Sequence, residues 1–234
     1  MLTPKKKISK REIKQDALLT SYAKTLTFYN ENKKYITYAA TGLVVVVIAA
    51  FIIVRNRRAN DERAAAEVAK VFSIYDAAAG NAQQYTMAIN GQPEHGIMGF
   101  KAIVENYGGT ESGELARFYL ANAYFNLGQY DEALKQFDKF SGSNSLLASS
   151  ALAGLGGCYE MKKEYSKAAS NYEKAAQESP NSVDTPEYLD SAARCFGLAG
   201  DKEKAIGLYK RLKQEFPTST FARDADRYIS QFSA

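Results

Sequence analysis

Apolar residues follow two different patterns along this chain. Residues 35 to 54 read YITYAATGLVVVVIAAFIIV, a run of twenty residues without a charge. A helix of that length spans roughly 30 Å, the thickness of a membrane's hydrocarbon core. From about residue 60 onward, apolar positions instead recur every three or four residues, which is typical of amphipathic helices. We therefore predict an all-α protein with a single transmembrane helix over 35–54 and a packed helical array after it.

The flanks of the apolar run favour a membrane anchor over a buried core helix. Basic residues bracket it on both sides: Lys33, Lys34, Arg55, Arg57 and Arg58. Tyr35 and Tyr38 stand where the aromatic belt of a membrane interface is expected. A cleaved signal peptide has a short basic region and an apolar stretch of about 7–15 residues. Here 34 residues precede the run and Arg-Asn-Arg-Arg follows it. We expect an uncleaved anchor.

The charge distribution bears on membrane orientation. The net charge is +4, but residues 1–34 carry nine Lys/Arg against three acids, and the part after residue 58 is mildly acidic. The positive-inside rule then favours a cytoplasmic tail over 1–34, with the large C-terminal part on the opposite side. Counting only near the helix gives three basic residues before it and four after it. The reversed orientation, with cytosolic repeats, therefore remains open.

The basic tail is itself predicted to be helical. Ser9-Lys10-Arg11-Glu12 fits a capping box. Apolar residues then recur at spacings of about three and four: Ile13, Leu18, Leu19, Tyr22, Leu26 and Tyr29. A basic amphipathic helix before a membrane span commonly lies on anionic headgroups, so membrane lipid is the expected partner of this tail. A partner-binding helix is the alternative.

The C-terminal part repeats itself with a period near 34 residues. Segments beginning at Glu114, Ser149 and Pro186 align position by position. Each has a small residue where two helices meet, at Ala121, Gly156 and Ala193. Each opens its second helix with a small residue, at Ala133, Ala168 and Ala205, and places an aromatic four residues later, at Phe137, Tyr172 and Tyr209. This pattern resembles the tetratricopeptide repeat (TPR), in which paired helices stack into an α-solenoid.

The repeats divide the chain as follows. A basic juxtamembrane segment covers 55–59, and a divergent first repeat covers 60–113, with an insertion of loop composition near 80–93. Three further repeats cover 114–148, 149–185 and 186–217, and a capping helix covers 218–234. A basic tail, one span and about four repeats resemble the layout of the ancillary SecYEG translocon subunit (YfgM-like) family. That resemblance implies a bacterial inner-membrane protein with periplasmic repeats, and the Sec translocon or periplasmic chaperones as partners.

The chain offers little for catalysis. Two Cys and one His are too few for a structural zinc site or a disulfide scaffold. Cys158 and Cys195 occupy equivalent repeat positions, where a buried small residue is expected, and His95 stands alone in a Gly/Pro loop. Gly154, Gly156 and Gly157 fall inside a predicted helix and fit close helix packing, not a phosphate loop. We predict no enzyme, no cofactor, no metal, no small-molecule substrate and no nucleic acid. An enzyme that uses the repeats only as a scaffold is the remaining rival.

A binding surface is predicted on the first helix of each repeat, because solenoids of this type bind extended peptides on that concave face. The register gives these candidates: Phe118, Asn122, Phe125, Asn126, Glu160, Met161, Asp190 and Arg194. Asn122 would bond a peptide backbone, Phe118 and Phe125 would supply apolar contact, and Arg194 would meet an acid. Alternatively, Phe118 and Phe125 pack against the preceding divergent repeat.

Overall fold

A computed structural model describes residues 10–233, with side-chain surroundings from Leu19 onward. The predicted capping box at Ser9–Glu12 and the side chains of Ile13 and Leu18 lie outside that description. The chain forms two compact units, Met1–Asn56 and Arg57–Ala234. In both units the described secondary structure is almost entirely helical.

The first helix, α1, runs without interruption from Lys10 to Asp76. Among the described residues it is the one helix long and apolar enough to cross a membrane. In the N-terminal unit its apolar side chains are solvent-exposed, from Leu43 through Val54. In the C-terminal unit one face of α1 is apolar and buried, with Ala64, Val68 and Val71 in the core. The sequence prediction of one long apolar N-terminal helix is confirmed.

The segment at 80–93 has the composition of a loop but contains a helix, and its assignment as an insertion in the first repeat stays a prediction. Helix α2 spans Ala82–Asn90, and the Asn81 side chain caps it by accepting from the Gln83 and Gln84 amides. Its residues Tyr85, Ala88 and Ile89 recur at helical spacing and are buried. A two-stranded antiparallel ribbon follows, β1 (Gly91–Gln92) and β2 (Ile97–Met98), joined through a 3₁₀ turn at Pro93–His95. Because the segment is mostly polar, the short apolar face of this helix could not be recognised from its composition.

The remaining helices form hairpins in which each helix packs on the next. Their bounds are α3 Phe100–Tyr107, α4 Glu111–Asn126, α5 Tyr130–Asp138, α6 Ser145–Met161, α7 Tyr165–Glu178, α8 Thr185–Leu198 and α9 Lys202–Glu215. Helices α4 and α6 begin three and four residues before the repeated segments. The side chains of Thr110 and Asn144 cap them there, accepting backbone N–H groups of the first turn.

Small residues mark the helix contacts as the repeat register predicts. The six alanine and glycine positions identified above, in α4 through α9, are all buried. An added Cβ at Gly156 would lie 2.9 Å from the Tyr172 ring, so glycine permits that close approach. The all-α TPR array with a long apolar N-terminal helix is therefore confirmed.

The predicted capping helix is divided in two. A single turn, α10 (Thr220–Arg223), precedes α11 (Ala225–Ser233). Tyr228 of α11 stacks on the buried Tyr209 of α9, with ring centroids 5.0 Å apart and planes 8° apart. Phe232 completes this aromatic stack and covers the end of the array.

Candidate functional site

An open groove lies between the last turns of α1 and the start of α4, both of which are first helices of their hairpins. Its volume is about 280 Å³, and its lining is mostly apolar: Ala65, Val68, Ala69, Phe72, Ser112, Leu115 and Tyr119. The groove stays open because Ala65 and Ala69 are too short to fill it. The base of the groove is well packed, because Phe72 and Tyr119 are in contact (ring centroids 5.0 Å apart) and Tyr119 stacks on the buried Phe100 (ring centroids 5.7 Å apart).

Sequence reasoning missed the α1 side of this groove. Ala65, Ala69 and Phe72 belong to the divergent repeat, where no consensus position pointed to a surface. Their spacing of three and four residues was a usable signal, because it places them in one row. The pattern did not show that the short side chains of Ala65 and Ala69 would leave an open space next to Leu115 and Tyr119.

The two predicted phenylalanines are packed, and neither projects freely from the surface. Phe118 contacts Phe137 and Phe140 edge-on, at centroid distances of 6.1 and 6.3 Å. Phe125 contacts Tyr130 at 5.5 Å. Both rings thus pack within their own repeat and toward α6. The alternative prediction, that Phe118 and Phe125 pack against the preceding divergent repeat, is wrong.

Asn122 and Asn126 continue the groove row along α4, three and seven residues beyond Tyr119. Each side-chain amide donates to a carbonyl one turn back: Asn122 Nδ2 to Phe118 O at 2.9 Å and Asn126 Nδ2 to Asn122 O at 2.8 Å. These bonds hold the two side chains along the helix. Each amide oxygen remains available as an acceptor for a peptide N–H, so their predicted binding role stays a prediction.

Glu160 and Arg194 bind each other across neighbouring repeats. The guanidinium contacts both carboxylate oxygens, with Arg194 Nη2 to Glu160 Oε2 at 3.1 Å. The Tyr172 hydroxyl donates to the same carboxylate at 3.2 Å, and the Cys195 thiol lies 3.6 Å from it. Arg194 therefore meets an acid of its own chain. Met161 is exposed at the end of α6.

Burial and the ion pair act oppositely on the pKa of Glu160. Burial alone would raise it, but hydrogen bonds and charge from Arg194, with the Tyr172 bond, hold the pKa below its usual value. Asp190, one turn before Arg194, behaves in the opposite way. Burial raises the pKa of Asp190, and the charge of Arg194 only partly offsets this. Glu160 thus stabilises the fold when ionised, and ionised Asp190 destabilises it.

The variant Asp190→Asn is expected to increase the free energy of unfolding at neutral pH. With a raised pKa, folded Asp190 binds its proton more tightly than the unfolded chain does, so its penalty disappears as the pH falls through that pKa. Glu160 has a lowered pKa, so its contribution to the free energy of unfolding is lost as the pH falls from its pKa in the unfolded chain through its pKa in the folded protein. Urea unfolding across the acidic range should therefore show a steeper acid loss in Asp190→Asn than in the wild type. Equal slopes would contradict this assignment.

Cys158 and Cys195 are free and fully buried. Burial raises the pKa of each thiol to about 12, so the reactive thiolate is scarce at neutral pH. We expect the folded protein to resist a maleimide reagent and to react at both positions after denaturation. Rapid labelling of the folded wild type would contradict the burial of these thiols. Among the side chains that the structure describes, residues 19–233, no group of three or more His, Cys, Asp or Glu is placed to hold a metal ion.

Comparisons with known proteins agree on the repeats. Two models of the tetratricopeptide repeat match residues 118–183 and 189–219. Two solved structures of nearly identical TPR-like repeats, assigned to a kinesin light chain of Podosopora anserina, share the fold. Each is 14% identical with a TM-score of 0.50, covering 70% of this chain and 84% or 85% of the other. No curated protein sequence matches the chain. Tetratricopeptide repeats thus occupy residues 118–183 and 189–219. At 14% identity the likeness to the solved structures shows the fold alone.

Proposed function

We propose that this protein is a membrane-anchored, non-enzymatic scaffold that binds protein partners through the first-helix surface of its TPR array. The observation that carries the proposal is the groove between α1 and α4. It is a mostly apolar, preformed concavity that the chain's own described side chains leave open. Water-exposed apolar lining is unfavourable, so a partner that covers it gains free energy.

The membrane anchor is supported by exposure as well as by composition. Large apolar residues from Leu43 to Val54 are each at least half exposed in the described helix. With about 25 cal/mol for each Å² of apolar surface, leaving such a stretch in water would be costly. A bilayer removes that cost, and the helix satisfies its own backbone hydrogen bonds there.

The proposed orientation places the tail over 1–34 in the cytoplasm and the repeats on the extracytoplasmic side of a bacterial inner membrane. Its support is the basic excess of the tail and the layout similar to the YfgM-like family. Within this proposal, the partners are the Sec translocon or periplasmic chaperones, and the role is assistance in protein translocation or envelope assembly. The Arg55, Arg57 and Arg58 cluster favours the alternative, a docking receptor with cytosolic repeats.

Thiol labelling distinguishes the two orientations. In a chain with Cys158→Ala and Cys195→Ala, the substitution Lys202→Cys places a thiol at an exposed position at the start of α9. A membrane-impermeant maleimide applied to intact spheroplasts should label it if the repeats lie outside. Protection until lysis, with an intact cytosolic marker, would reverse the orientation and remove the translocation role.

Partner binding is tested by co-purification from detergent-solubilised membranes. Ala69→Phe fills the groove, whereas Ala66→Phe adds the same ring at an exposed position of α1 outside the groove lining. The proposal expects specific co-purifying proteins with the wild type and Ala66→Phe, and their loss with Ala69→Phe. Identical partner sets from all three forms would contradict binding through this surface.

A further inference from the structure

We propose that the groove between α1 and α4 binds a short partner segment in which apolar residues are flanked by Lys or Arg. This inference rests on the proposed function, because it takes the first-helix surface as the place of binding. It adds the chemistry of the partner, which the TPR fold by itself leaves undetermined.

The centre of the groove sets the apolar part of the segment. Its volume of about 280 Å³ lies just below the range of about 300–1,000 Å³ that is typical of ligand pockets. It therefore has room for one or two side chains of a partner. Leu115 and the ring of Tyr119 form one wall, and Ala65 and Ala69 form the other.

Carboxylates gather at the Ser112 end of the groove. Asp61 accepts the Ser112 amide at 2.8 Å, which fixes Asp61 beside the first turn of α4. Glu62 follows directly on α1 and is exposed, and Glu111 on α4 is exposed next to Ser112. Only one oxygen of Asp61 is used in that bond, so this end presents negative charge to a partner.

The opposite end of the groove also carries a carboxylate. Asp76 closes the α1 row formed by Ala65, Ala69 and Phe72, four residues beyond Phe72. It lies near the Tyr119 hydroxyl: burial raises the pKa of Tyr119, and the charge of Asp76 raises it further. The apolar centre is thus bounded by negative charge at both ends.

The nearby basic residues point elsewhere or are already paired. Lys70 bonds Glu67 at 2.7 Å, and Arg117 bonds the buried Glu114 at 3.1 Å. Arg63 stands about half a turn from the groove row, counting 3.6 residues per turn. Arg57 and Arg58 lie one helical turn before Asp61 and Glu62, outside the Ser112 end of the groove. Four carboxylates therefore meet a partner at the groove, against two guanidiniums outside one end, so a cationic partner is complementary.

The spacing of the charges sets the length of the segment. Asp61 and Asp76 are fifteen residues apart on one helix, or about 22 Å. An extended peptide of about seven residues covers that distance. Basic residues at its two ends would then meet the two acidic ends while its central residues enter the groove.

The test is fluorescence anisotropy with the full chain in detergent micelles and three labelled peptides of that length. The first has Lys at both ends and Leu and Phe in the centre. The second replaces each Lys with Glu, and the third replaces the central Leu and Phe with Ser. We expect the first to bind at least about tenfold more tightly than either of the others, and to weaken as salt is added.

Variants of the protein locate the binding. Ala69→Phe should abolish binding of the first peptide, and Ala66→Phe should leave it unchanged. Glu62→Gln combined with Asp76→Asn should weaken it about three- to tenfold, because two partly exposed ion pairs are lost. Circular dichroism of each variant checks that the helices are retained.

Three results would overturn the inference: equal binding of the Lys- and Glu-flanked peptides, binding unaffected by Ala69→Phe, or no binding of any of the peptides. These failures are separate from failure of the proposed function. Partners that co-purify with the wild type and are lost in Ala69→Phe would still support the scaffold while rejecting a basic segment.

Discussion

Glu114→Ala is expected to lower the free energy of unfolding by about 3 kcal/mol, the largest effect of any single substitution considered for this chain. Glu114 is only 4% exposed, and its carboxylate joins three separate segments. It accepts from Arg117 Nε at 3.1 Å, from the Ser141 amide at 2.8 Å and from the Gly109 amide at 3.4 Å. Its removal leaves a nearly buried guanidinium unpaired and detaches the loops before α4 and after α5.

Glu132→Ala is the matched control for this prediction. Glu132 and Lys135 form an ion pair with the same three-residue spacing, but their side chains are 45% and 61% exposed, against 5% and 14% for Glu114 and Arg117. An exposed pair of this kind contributes about 0.5 kcal/mol or less. Urea unfolding of the full chain in micelles, followed by circular dichroism, measures both. Similar losses in the two variants would contradict the structural role of Glu114.

Gly154→Ala is expected to destabilise the array by about 2 kcal/mol despite alanine's higher helix propensity. A Cβ at position 154 would lie 2.4 Å from the Phe137 ring, closer than any real contact. Phe137 is only 3% exposed and contacts Phe118, so it has little space into which to move. The overpacking cost therefore exceeds the gain in propensity.

Gly207→Ala shows the propensity effect by itself. Gly207 is also inside a helix, α9, but a Cβ there meets nothing within 4 Å. This substitution should stabilise the protein by up to about 1 kcal/mol. Opposite signs for Gly154→Ala and Gly207→Ala are the expected result. A stabilising Gly154→Ala would show that the α5–α6 contact is looser than the structure indicates.

The repeat region could be predicted in detail because its packing depends on residue size at fixed spacing. Alanine at 121, 168 and 205 permits helix contact wherever the hairpin forms, so sequence and structure agree there. The helix Ala82–Asn90 could not be recognised in the same way. Its apolar face consists of only Tyr85, Ala88 and Ile89, which is too short a pattern to stand out in a segment of loop composition.

The candidate surface was harder to predict than the fold, because exposure depends on what neighbouring helices supply. Phe118 has the register of a surface residue, yet Phe137 and Phe140 close over it. Glu160 and Arg194 are 34 residues apart, and nothing local indicates that stacking brings their charges together. The groove itself arises from the shortness of Ala65 and Ala69, a property that gains meaning only beside α4.

Site-specific photo-crosslinking in intact cells tests the central claim, that a protein partner occupies this groove on the membrane-anchored chain. A diazirine analogue of leucine replaces Leu115 in the groove wall, a substitution of nearly the same size, and in a second strain it replaces Ala66, an exposed residue outside the groove lining. The account predicts a discrete protein adduct at position 115 in the membrane fraction and none, or far less, at position 66. Equal adducts at both positions, or none at position 115 when the protein is present at its normal level, would contradict it.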